Sequence, residues 1–170
     1  MAEAGNPATS MLPDVSRDGS GCEEGSELHT ELYGALAGEI EWTLDEMQCQ
    51  GMPRPDGAGA RLRFAGHAGE NARPIAFIIG LPGLERDAGG VALPSNVTVI
   101  DEQSARFFST PGLDSCWTDV AAQWSVDDDN DRYRIDGVLY CISPLPEVNG
   151  EASLSVPELR FSGILDWSAK

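Results

Sequence analysis

Hydrophobic and polar residues alternate along much of this chain with period two, the spacing of a strand that buries one face. The clearest run is GEIEWTLDE, where Ile40, Trp42 and Leu44 alternate with Glu39, Glu41, Thr43 and Asp45. RLRF at 61–64 turns Leu62 and Phe64 inward, and PIAFIIGL at 74–81 is the most apolar stretch, expected at the centre of the core. NVTVID and ARFFST predict two strands across a tight turn at 102–104. In SLSVPELRFSGILDW, residues Leu154, Val156, Leu159, Phe161 and Ile164 supply an inward face. Pro157 cannot donate to a ladder, so this last strand is expected to break there or to lie at an edge. LHTELYGAL at 28–36 reads as a short helical turn with Thr30 as its cap, limited by Gly34 and Gly38. QGMPRPDGAGA and LPGLERDAGGVALPS read as loops from their proline and glycine.

The stretch from Ser115 to Ser143 predicts a hairpin folded at Asp127 to Asn130. Pairing Trp124 with Tyr133 also pairs Ala122 with Ile135, Val120 with Gly137, Thr118 with Leu139 and Cys116 with Cys141. These pairs share one mostly apolar face. Ser125, Gln123, Ala121 and Asp119 then share a polar face with Arg132, Arg134, Asp136 and Val138. A slip of one residue would turn the apolar set outward, so the pattern specifies the register, although a bulge could shift part of it. Cys116 directly opposite Cys141 suits a disulfide. Closing that loop stabilises the fold by about 3.5 kcal/mol on the chain-entropy model. The alternative is two unrelated buried thiols.

About eight short strands with almost no helix predict an all-β fold, an antiparallel β-sandwich or a flattened barrel. The 170 residues suit one domain, residues 31–170, behind a flexible acidic leader, 1–30, with little apolar surface to offset ordering. The chain carries 28 acidic against 11 basic residues, a net −17. That field repels nucleic acid and anionic lipid and favours cations or a basic partner. The four cysteines, Cys22, Cys49, Cys116 and Cys141, form no C-x-x-C, and only His29 and His67 accompany them, a poor set for zinc or thioredoxin-like chemistry. An even count in a turn-rich chain fits an oxidising compartment, with Cys22 and Cys49 as a second pair that would clip the leader down. Residues 1–20 show no signal peptide and no apolar run reaches transmembrane length. Between a cytosolic protein and a mature exported one, the cysteines favour the second.

The layout resembles small bacterial envelope lipoproteins and secreted proteins with a β-sandwich fold, over roughly 38–167. The residues that carry the likeness are an early strand GEIEWTLDE, a cysteine followed by the closing strand RIDGVLYC, and a last strand ELRFSGILDW. The resemblance implies an extracytoplasmic setting and brings no catalytic residues.

Asp127, Asp129 and Asp131 are the sharpest chemical signal, since oxygen ligands at alternate positions suit calcium. Arg132 and Val138 stand where an EF-hand needs glycine and glutamate, so that motif fails, and aspartates are ordinary turn residues. Carboxylate pairs for glycoside hydrolysis are too abundant to single out, although Glu39 and Glu41 share an exposed strand face. No G-x-S-x-G accompanies the two histidines, and the Asn96 sequon falls on a predicted strand. Trp117 and Tyr140 face each other outside the apolar face and could stack on a sugar or a protein. The sequence therefore predicts a non-enzymatic extracytoplasmic domain that binds a protein or glycan or is structural, at the bacterial cell envelope. The alternative is a calcium-assisted carbohydrate-binding module built from the aspartate tip and the Trp117/Tyr140 platform.

Overall fold

A computed structural model of the chain describes residues 21–126 and 131–169. The strands are β1 (Glu27–Gly34), β2 (Gly38–Thr43), β3 (Met47–Pro53), β4 (Ala60–Ala68), β5 (Arg73–Leu81), β6 (Gly90–Asp101), β7 (Arg106–Ser109), β8 (Cys116–Ser125), β9 (Arg132–Cys141), β10 (Leu145–Pro146), β11 (Ser153–Ser155) and β12 (Glu158–Asp166). One turn of 3-10 helix, Leu44–Glu46, is the only helical element among the described residues. All twelve strands belong to one antiparallel sheet, in the order β10-β11-β1-β12-β9-β8-β6-β5-β4-β3, with β2 added to β1 and β7 to β6. The sheet is not closed by hydrogen bonds between its end strands.

The expectation of an all-β antiparallel fold with little helix holds, and the count of about eight strands is corrected to twelve. The additional strands come from four places. Most of the 28–36 stretch lies in β1 rather than a helical turn, β3 occupies part of the expected 50–60 loop, β10 forms in the expected connection after the hairpin, and Pro157 splits the last stretch into β11 and β12. Pro157 therefore marks a break, and β12 is not an edge: it lies between β1 and β9. The expected loop at 81–95 also shortens, since β6 begins at Gly90. Residues 27–30, expected to be leader, are the first half of β1, and Cys22 is bonded to Cys49.

Alternating positions build the core from opposite stretches of the sheet. Leu62, Phe64, Phe77, Ile79, Leu139, Leu154 and Leu159 are buried, as their spacing requires. Phe64 of β4 packs on Phe161 of β12 with ring centroids 5.7 Å apart. Trp42 of β2 meets Phe77 of β5 edge-on at 5.7 Å and donates its indole N–H to the His67 carbonyl at 2.9 Å. Such edge-on geometry suits aromatic quadrupoles and leaves the buried indole nitrogen satisfied. Gly51 of β3 has no room for a side chain, because the Ile164 carbonyl and Leu165 backbone of β12 press against it.

Both cysteine pairs expected from the sequence are disulfides, Cys22–Cys49 and Cys116–Cys141. The hairpin β8–β9 keeps the expected register from Cys116↔Cys141 to Val120↔Gly137. A bulge follows, after which Gln123 pairs with Ile135, Trp124 with Arg134 and Ser125 with Tyr133. Trp124 is thus turned outward, 47 % exposed, and Gln123 takes the inward place expected for its apolar neighbours.

Candidate functional site

The strands β8, β9, β12, β1 and β2 lie side by side, so their outward residues form rows across one face. One row runs Pro94, Trp117, Tyr140, Glu158. The next runs Asp119, Val138, Arg160, His29, Glu41. Glu31 pairs with Glu39 on the same face, one step along β1 and β2 from His29 and Glu41. This outer face carries an aromatic pair on one side and an imidazole ringed by carboxylates on the other, two strands away, about 10 Å at the usual strand spacing.

Trp117 and Tyr140 stack as their directly opposed positions dictate, with centroids 6.2 Å apart and planes 28° from parallel. Both are half-buried, so each keeps part of its ring towards solvent. Over β1 and β12 lies a recess of about 260 Å³, lined by His29, Glu31, Tyr33, Glu39, Glu158 and Arg160 among others. Arg160 spans part of its floor and is ion-paired with Glu158 at 2.9 Å.

His29 Nε2 lies 2.8 Å from Glu39 Oε2 and 3.8 Å from Glu41 Oε2. The hydrogen bond to Glu39 holds the imidazolium above its ordinary pKa; desolvation opposes this, the Glu41 charge adds to it, and the Arg160 charge works against it. The ligand atoms of His29, Glu39 and Glu41 all lie within 4.8 Å of one another. The alternation of GEIEWT shows Glu39 and Glu41 on one exposed face. His29 escapes notice because it joins them only if residues 27–34 form a strand.

Of the three aspartates expected as calcium ligands, one is described. Asp127 and Asp129 lie outside the described residues. Asp131 accepts a hydrogen bond from Arg86 at 2.9 Å, and its backbone carbonyl accepts one from the Trp167 N–H at 2.8 Å. Trp117 stands eight positions before Ser125 on β8, about 25 Å along a strand. Asp131 and the aromatic pair therefore occupy opposite ends of the hairpin.

The one buried carboxylate among the described residues is structural. Asp101 accepts from Arg73 at 2.7 Å and from the Ser104 N–H at 3.3 Å, tying β5 to the turn between β6 and β7. No family model, curated protein or solved structure matches this chain.

Proposed function

We propose that this is a non-enzymatic, extracytoplasmic domain of the bacterial cell envelope, with a binding or structural role carried by the outer face around Trp117 and Tyr140. The observation that carries the reading is the pairing of all four cysteines in disulfides, a state that an oxidising compartment maintains and a reducing cytosol does not. We read the sheet as curling into a flattened barrel or sandwich, supported by the Phe64–Phe161 and Trp42–Phe77 contacts and by the approach of Gly51 to β12. A curled sheet leaves one face for the core and the other for partners.

Alkylation of the protein, prepared without reductant and mapped by mass spectrometry, tests the compartment. Two linked peptides, Cys22–Cys49 and Cys116–Cys141, are expected. Four alkylated thiols would overturn the extracytoplasmic reading. The face is tested on glycan and envelope-protein arrays, where Trp117→Ala should weaken any specific ligand by at least about tenfold, as loss of an aromatic anchor does. A ligand bound equally well by that variant would move the binding surface elsewhere.

A further inference from the structure

The carboxylates around His29 are placed against their own repulsion. Glu31 and Glu39 are directly paired across β1 and β2, and Glu41 follows two residues later on the same face. Like charges directly opposite in a sheet are destabilising, and here three glutamates share one small area with a single imidazole. Arg160, on the neighbouring strand, already pairs with Glu158. A cation beside His29 would relieve the excess.

The donor set and its spacing say which cation. Imidazole nitrogen favours zinc and its transition-metal neighbours, whereas calcium and magnesium take oxygen. A zinc ion with bonds near 2.0–2.1 Å holds tetrahedral ligand atoms about 3.4 Å apart. The two carboxylate oxygens stand 2.8 and 3.8 Å from His29 Nε2, and donor atoms of the three residues lie within 4.8 Å of one another, so shifts of an ångström or so by exposed side chains suffice. The backbones beneath them are fixed by the β1–β2 ladder, which pairs His29 with Glu41. From this geometry we infer that His29, Glu39 and Glu41 form a binding site for a divalent transition metal of the zinc class. Three protein ligands leave the fourth tetrahedral position open, beside the recess lined by Glu31, Tyr33, Glu158 and Arg160. A water or a donor from a partner molecule would complete the coordination. The inference does not depend on Trp117 and Tyr140 binding anything.

The test is calorimetric titration of the oxidised, full chain with zinc chloride in excess calcium, which occupies non-specific acidic sites. One saturable zinc site is expected. His29→Ala should weaken it by more than about tenfold, the loss already seen when only outer-shell partners of a metal are removed, and Glu39→Gln with Glu41→Gln should do the same. His67→Ala should leave it unchanged. Because His29 is exposed, its variant is expected to melt as the parent does; in the unaltered chain, NMR of the two imidazoles should show only His29 shifting with zinc. Zinc binding that survives His29→Ala, is displaced by calcium, or leaves the His29 signal in place overturns the proposal.

Discussion

The two ends of the β8–β9 hairpin obey different rules. At the disulfide end the ladder runs as the alternation of apolar residues dictates, with Cys116, Thr118 and Val120 turned inward. At the other end Ala121 and Ala122 stand against Asp136 alone, a bulge of two residues against one. Beyond it a glutamine is buried and a tryptophan is exposed. The Gln123 amide donates to the Glu85 and Ala88 carbonyls, each at 2.8 Å, and its carbonyl accepts the Trp167 indole N–H at 2.9 Å. Two segments outside the hairpin thus need a polar partner at that position, and an apolar side chain there would leave three partly buried groups without this partner. Alternation sets register where a strand answers only to its neighbour and the core; it yields where loops bring backbone carbonyls inward.

The contrast can be broken from either end. Replacing Cys116 and Cys141 together by alanine should cost the most, about 3.5 kcal/mol on the chain-entropy model, read as a lower denaturant midpoint. Gln123→Leu comes next: it keeps the volume but leaves the loop carbonyls and the Trp167 N–H unpaired, an expected loss of about 2 kcal/mol, with a changed tryptophan emission. Gly137→Ala acts at the junction, where a methyl would run into the Phe161 ring; overpacking of this kind should cost about 1 kcal/mol. The loss should shrink in a Phe161→Leu background, and a purely additive double variant would show that the ring is not the obstacle. Trp124→Ala should be the smallest, under about 0.5 kcal/mol for an exposed site. A loss of 3 kcal/mol or more, the mark of a buried tryptophan, would mean that the hairpin runs in the unbulged register.

Much of the frame was legible in the residues. Ile40 and Trp42, Leu62 and Phe64, the run at 74–81 and the Cys116–Cys141 pair each follow from period two and opposite placement. β1 was not, because Leu28, Leu32 and Leu36 recur at helical spacing and Thr30 does not look like core. In the strand Thr30 is nonetheless buried, its hydroxyl donating to the Glu158 carbonyl at 2.7 Å. β3 was hidden by Gly51, which signals a loop in the sequence but is required by the close approach of β12. The candidate site suffered from the first of these errors. Glu39 and Glu41 were visible as a pair, but His29 stands beside them only through cross-strand pairing. Nor does any local pattern put Trp117 and Tyr140 on the same face as His29, since that follows from the order of five strands.

The pairing of β1 with β12 also bears on when this chain can fold. Thr30 and Glu158, 128 positions apart, are joined by a hydrogen bond, and among the described residues β2 attaches to the rest of the sheet through β1. Strands β1 and β2 therefore join the sheet only through partners far along the chain, β11 and β12. Closing so long a loop comes late and slowly, as non-local β topologies do. The meander β3-β4-β5-β6 and the hairpin β8–β9, by contrast, pair neighbours in sequence, so these local ladders can form before β1 finds its place.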